Sequence, residues 1–413
     1  FLVLVLGNLG ELRLLFTGLE DIGNIQFDSL IPGYPAVVSA IVGLWKVVMQ
    51  GQSLAFRPEW WYWNASRVIP FAEGEVGAIN EFPAFTFLYA DLHAHMMALP
   101  LTQVALAIAL QWGIGAEPAP GSVKRSWLAH LRRCIPHPLP TFVLAGLIAG
   151  ALKATNTWDW PTYLALMSVG LLFTFFNPRT SDSKSELAED PKPIFPYYKV
   201  LTPILFVLLG EVLFRPYITN YASAYTSFGL WKGSRTPLGI YLIMHGHFLF
   251  PIVVLAVVRG LALFRRIRDG KDASVWLALG MALLGMAILA VVLLVVGVAV
   301  TWIVIPLGTL AALLILDPQC APRARLLWMW VGTALALSLL VEVVVLEGDI
   351  GRMNTVFKFY LQVWMLLGLS AAVAAERIIH YALSSYRAEQ ESSLNKIPYF
   401  VSDMVSGILA VLL

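Results

Sequence analysis

Residues 275–316 read VWLALGMALLGMAILAVVLLVVGVAVTWIVIPLGTLAALLIL, an apolar run without a single charged side chain. A bilayer-spanning helix needs about 20 mostly apolar residues, so this stretch is too long for one span. It divides most naturally near Val298–Thr301, giving spans over 275–297 and 299–316. Backbone polar groups find no partners in hydrocarbon, so such runs must satisfy themselves internally as helices. No alternation of strand period competes with this reading. The fold class expected is therefore all-α: a polytopic transmembrane helical bundle.

The composition agrees. Hydrophobic residues make up 58% of the 413-residue chain and charged ones 13%, with a mean hydropathy of +0.74. Soluble domains carry roughly twice that share of charge. A globule of this size would need more polar cover, so lipid must provide it. The net charge of +2 supplies no basic surface for nucleic acid. Working outward, further spans fall at 96–113, 139–154, 160–177, 198–215, 237–259, 326–346 and 355–376. Residues 1–7 read as the end of another span and 399–413 as the start of one more, about 11 in all. Phe1 and Leu413 both lie inside apolar runs, so both ends are expected to continue. The whole of 1–413 reads as a single transmembrane domain.

Arginine and lysine set the orientation. Loops 114–138, 259–273, 317–325 and 377–397 carry half of them, and alternating spans bring these loops to one side, the cytoplasm, with 178–197. The opposite side receives 8–95, 152–159, 216–236 and 347–354. The plasma membrane is the expected location. Residues 31–50 are apolar enough to span. Residues 8–30, however, hold Glu11, Glu20, Asp21 and Asp28 against Arg13, a poor cytoplasmic loop, so 31–50 reads as a helix on or dipping into the outer membrane surface. All of 8–95 is then one large first external loop with interfacial helices. Cys134 and Cys320 fall on the cytoplasmic side and read as inert thiols.

The polar chemistry gathers in the external segments. In 60–95 stand Trp60-Trp61-Tyr62-Trp63, Arg67, Glu81, and Asp91-Leu92-His93-Ala94-His95 at the mouth of a span. Ionisable groups are costly near a bilayer, which marks these as candidates for function. Asp91 and Glu81 suit a general base. His93 and His95, with these acids, suit a divalent metal such as Mg, Mn or Zn. A second group is Asn156 and Asp159 in the turn 154–161. A third is Arg352, Asn354 and Lys358, two cations and an amide beside a helix start, where an anion such as phosphate is held well. His245 and His247 lie two apart in a span, where a straight helix cannot aim both at one ion; they read as packed residues facing the bundle.

The runs SRVIP (66–70), INEFP (79–83), DLHAH (91–95), ATNTWDWP (154–161) and GRMNTVFKFYLQVW (351–364) resemble the bacterial and archaeal YYY membrane proteins. The layout of that family is similar to the GT-C superfamily of membrane glycosyltransferases. The resemblance implies an acid-bearing first external loop and a polyprenyl-phosphate-linked sugar donor. Glu81 and Asp91 would be the catalytic acids. Arg352, Lys358, Asn354, Arg67, Asn156 and Asp159 would hold substrate or phosphate. The chain departs from the superfamily in having no Asp-x-Asp or Asp-Glu pair in 8–95. The function expected is a membrane glycosyltransferase acting outside, with the bilayer and the lipid-linked sugar as partners. The alternatives are a transporter or channel, for which Glu211, His245, His247 and Glu342 inside spans would speak, and a non-catalytic subunit among other membrane-protein partners.

Overall fold

A computed structural model describes residues 1–54, 56–57, 59–90, 92–114, 139–176, 197–222, 227–270 and 273–391. Helices dominate: α1 (Leu9–Gly23), α2 (Tyr34–Gln50), a single turn α3 (Trp60–Trp63), α4 (Pro83–Tyr89), α5 (Ala94–Ile114), α6 (Leu139–Thr155), α7 (Trp160–Phe176), α8 (Tyr197–Leu213), α9 (Arg215–Asn220), α10 (Leu238–Gly270), α11 (Ala273–Val295), α12 (Thr301–Leu316), α13 (Pro322–Val343) and α14 (Met353–Glu391). The short strands β1 (Phe228–Leu230) and β2 (Val344–Leu346) pair antiparallel, Phe228 opposite Leu346.

Among the described residues, four helices are long and apolar enough to cross a membrane: Ala94–Ile114, Leu238–Gly270, Pro322–Val343 and Met353–Ser384. Shorter apolar helices, α2, α6 and α12 among them, accompany these. The boundaries follow the hydropathy closely. The long run divides where expected, because Gly297 adopts φ +86°, a left-handed conformation that terminates α11. Pro100, Pro203, Pro251 and Pro306 lie inside helices; packed neighbours make such breaks tolerable in membrane helices.

Two segments differ from expectation. Residues 1–7 form a turn instead of the end of a spanning helix. This segment is held against the bundle by Trp364, whose Nε1 donates to the Val3 carbonyl at 2.9 Å. Gly368 leaves room for the Val3 side chain, which a Cβ there would meet at 2.7 Å. Within 8–30 a full helix, α1, appears. Asn8 caps its start by accepting from Gly10 N at 2.8 Å, and Asn24 in the left-handed region closes its end. The mixed charges of α1 concealed its amphipathic pattern. The expected span beginning at 399 and the basic loops 114–138 and most of 178–197 lie outside the described residues.

Helices α1 and α2 form a tight hairpin. A Cβ on Gly43 would sit 1.8 Å from the Leu19 carbonyl oxygen, and one on Gly23 1.8 Å from that of Ser39. Small residues at the contact let two backbones approach, the usual device of helix pairs in lipid. Lys46 Nζ donates to the Ile22 and Gly23 carbonyls at 2.9 and 3.1 Å, satisfying the end of α1. Tyr34, Val37, Ile41, Leu44 and Val48 are exposed on α2, a helical stripe of the kind that lies in a membrane interface.

α14 is the best-covered of the four long helices. It packs on α10 and α13, and Met365 Sδ accepts from Gln103 of α5 at 3.7 Å. Trp364 is its hub: it stacks on Phe82 at 5.3 Å and meets Phe248 edge-on at 4.7 Å. Phe82, fully buried, thereby anchors the 64–93 segment into the bundle.

The bundle has two chemically distinct ends. At one, Arg266 pairs with Asp317 and Gln319, Arg325 Nη2 donates to the Asp317 carbonyl at 2.9 Å, and Arg259 lies 5.3 Å from the Tyr381 ring. The loops assigned together from their arginines, so far as they are described, do gather there. At the other end meet 60–93, 156–159, 228–236 and 344–352, as the same alternation requires. Ser234 N donates to both carboxylate oxygens of Glu75 at 3.0 and 3.2 Å, and Trp158 lies 6.1 Å from Phe228.

Gly43→Ala should destabilise the chain by about 1–3 kcal/mol, because the opposing atom is backbone and cannot swing aside. Gly280→Ala, in open space on α11, should be neutral. Thermal unfolding of the two variants in detergent separates them.

Candidate functional site

The loop end is clamped by an ion pair inside the protein. Arg352 and Glu342 are both buried, with Nη1 donating to Glu342 Oε1 at 2.9 Å. Thr236 donates to the same carboxylate through its backbone N at 2.9 Å and its hydroxyl at 2.5 Å, and its hydroxyl accepts from Arg352 Nη2 at 3.2 Å. Arg352 Nη1 also reaches the Val341 carbonyl at 3.0 Å, and Arg235 donates to the Glu342 carbonyl. A buried pair of this kind survives only with such complete hydrogen bonding.

Arg352 and Asn354, read as part of a phosphate site at the start of α14, make these contacts within the chain. The anion received by that helix end is the chain's own Asp349. Its oxygens accept from Asn354 N and Nδ2, both at 3.1 Å, and from Thr355 N and Oγ1, both at 2.7 Å. The helix dipole and first-turn amides are thus engaged internally, and the charge of Arg352 is met by Glu342.

Other expected residues do come together. α4 ends at Ala90 in the left-handed region, φ +55°, and α5 starts at Ala94. His93 precedes the helix, so helical spacing does not separate it from His95: the two rings stack at 5.3 Å. His95 Nε2 lies 3.6 Å from Glu81 Oε2, and the Thr86 hydroxyl sits 3.4 Å from that oxygen and 3.5 Å from that nitrogen. The Arg67 guanidinium lies 3.6 Å over the Trp63 ring. Burial pulls its pKa below the ordinary value, while Glu81 and Tyr89 pull it back up. Asp91 lies outside the described residues. Asn80, of the same INEFP run, is structural: it donates to the Ala65 carbonyl at 2.8 Å and accepts from Val68 N at 2.9 Å.

The second cluster joins the 156–159 turn to α14. Asp159 is buried and accepts from Asn156 Nδ2 at 3.0 Å. Burial raises its pKa to about 7, opposed by Asn156, Lys358 and Gln362. The Lys358 ammonium lies 5.3 Å from the Trp158 ring. Gln362 was not anticipated. Its Nε2 donates to the Trp158 carbonyl at 2.9 Å and to the Lys358 carbonyl at 3.3 Å. The signal was present: a polar side chain one turn after Lys358 in an apolar helix. The two clusters flank neighbouring positions of α14, since the His95 ring meets Phe357 edge-on at 4.5 Å and Lys358 follows.

Among the described residues no group of three or more His, Cys, Asp or Glu side chains converges as a metal cage. The 3.6 Å between Glu81 Oε2 and His95 Nε2 nevertheless lies near the separation of two ligands sharing one ion through bonds of about 2.1 Å. These two would form part of a donor set.

Two outcomes follow from this geometry. Arg352→Ala strands a buried carboxylate and should cost about 3–5 kcal/mol, seen as a large fall in the thermal midpoint. Asp159 has a folded pKa of about 7 against 3.8 for a free carboxyl. A raised carboxyl contributes stability that is fully present below the lower value and is lost as pH rises through the higher one. Thermal midpoints should therefore decline between about pH 4 and pH 7, and Asp159→Asn should remove that part of the slope.

No curated protein and no solved structure significantly matches the chain. The sequence profile of one family, described as “Uncharacterized membrane protein (DUF2298)”, matches residues 1–367. With apolar helices throughout and a match over most of its length, the chain belongs to this integral membrane protein family.

Proposed function

We propose that the protein is a GT-C-like membrane glycosyltransferase that takes a sugar from a polyprenyl-phosphate donor at the non-cytoplasmic, loop end of its bundle. The observation that supports this most is the placing of two carboxylates, each beside a cation, around Phe357 and Lys358 of α14. Glu81 stands with His95 and near Arg67, and Asp159 stands near Lys358.

The donor's tail would lie in the bilayer among the apolar helices, with its phosphate between Arg67 and Lys358. Glu81, oriented by His95 and Thr86, would take the proton of the acceptor hydroxyl. The acceptor oxygen then bonds to the anomeric carbon, the bond from that carbon to the phosphate oxygen breaks, and the electron pair leaves with the phosphate. The two cations steady the charge developing there. Asp159, with Asn156 and Gln362, positions Lys358. Asp91, four residues before His95, is a further candidate base. With Asp91 as the base, Glu81 and His95 would instead hold a divalent ion, which would supply Lewis-acid stabilisation of charge.

The test is transfer of label from a radiolabelled polyprenyl-phosphate sugar pool in membranes containing the protein. Glu81→Gln should lower turnover by roughly 10²–10⁴-fold, the usual worth of a general base, and Lys358→Met should weaken donor use. If no product forms across a broad panel of donors and acceptors, the glycosyltransferase reading is wrong; if Glu81→Gln transfers as well as the parent, Glu81 is not the base and that role passes to Asp91.

A further inference from the structure

The interior between α10 and α14 holds polar groups that the transferase reading does not use. His245 is buried, and neither of its ring nitrogens meets a hydrogen-bond partner; the same is true of both ring nitrogens of His247. The Tyr360 hydroxyl is buried beside Thr236. Ser370, further along α14, is buried with its hydroxyl unpartnered. Leaving such groups dry is destabilising. Their concentration in one seam therefore calls for a use.

The groups form a series. At the loop end stand Glu342, Arg352 and Thr236. Next comes Tyr360, whose ring meets His245 edge-on at 5.1 Å, with Tyr241 at 5.1 Å on the other side of that histidine. The Tyr241 hydroxyl donates to Ser338 at 3.0 Å. His247 follows, 5.3 Å from Trp364. Pro251, four residues on within α10, removes the amide that would bond the His247 carbonyl, leaving one more acceptor at this level. At about 1.5 Å per residue, the distance along α10 from its first residue, Leu238, to His247 is roughly 14 Å, a little under half the hydrocarbon thickness. Ser370 lies roughly 15 Å beyond Tyr360 along α14 by the same rise.

We propose that Tyr360, His245 and His247 form a proton relay leading from the Glu342–Arg352 end into the middle of the membrane, with Ser370 continuing it toward the basic end. A neutral imidazole accepts a proton on one ring nitrogen and releases the proton of the other. Each transfer makes one N–H or O–H bond and breaks one, water bridging the gaps between side chains. Nothing is oxidised and nothing is consumed. The ionisable groups facing the relay are Tyr241 from α10, Glu342 from α13, and Arg352 and Tyr360 from α14. The relay makes the protein proton-conducting, whatever its transferase chemistry.

The experiment reconstitutes the full chain in phosphatidylethanolamine–phosphatidylglycerol vesicles loaded with a pH-sensitive dye, and drives protons inward with a potassium gradient and valinomycin. Influx should exceed that of protein-free vesicles at least tenfold. Tyr360→Phe, which keeps the ring packed on His245, and His247→Asn should each return it to the protein-free rate, with thermal midpoints of the variants measured alongside. A purely structural role predicts lowered midpoints with unchanged influx and overturns the proposal. So does a parent protein no faster than protein-free vesicles.

Discussion

The buried ion pair between Glu342 and Arg352 is the constraint on which the loop end rests. It joins the last turn of α13 to the turn before α14 and, through Thr236, to the start of α10. Three long helices and the small β1–β2 pair meet at this one charge contact. Lipid cannot solvate either partner, so each is stable only while the other is in place. The same pair holds the charge of Arg352 inside the protein, as Asp349 holds the first amides of α14.

The second organising contact is Trp364. It draws together the N-terminal turn through Val3, the external segment through Phe82, and α10 through Phe248 and His247. A large aromatic side chain buried against partners from separate segments supplies packing that the hydrophobic effect cannot supply between helices in lipid. Its position places the Glu81–His95 and Asp159–Lys358 groups, which meet α14 at Phe357 and Lys358, about two turns away. The His245–His247 seam lies beside it in the interior. Surface carboxylates with cations and unpartnered interior imidazoles are different chemistries. Their separation along α14 lets one bundle hold both.

The helices were legible because lipid imposes a length and a composition on anything that crosses it, as the match of 96–113 to Ala94–Ile114 and of 139–154 to Leu139–Thr155 illustrates. α1 escaped notice because its apolar stripe is interrupted by Glu11, Arg13, Glu20 and Asp21, and only the folded chain shows its pairing with α2 across Gly23 and Gly43. Among the candidate residues, Asn156, Asp159 and Lys358 were recognisable as polar groups in apolar surroundings, and they do converge. Gln362 was passed over within the apolar run of α14. Arg352 looked like a ligand for phosphate because a nearby helix start and a cation are visible in sequence, whereas the carboxylates that answer them, Asp349 and Glu342, declare themselves only in three dimensions.

The sequence alone determined that this is a helical membrane protein, where most of its apolar helices run, and which of the described loops share an end. These follow from local composition, since solvation by lipid acts on each segment independently. Tertiary structure alone decided which charges neutralise one another, which helix is enclosed, and which polar groups are left unpartnered inside. Those outcomes depend on contacts between residues far apart in the chain, such as Thr236 with Arg352 or Glu75 with Ser234, and no local pattern encodes a distance.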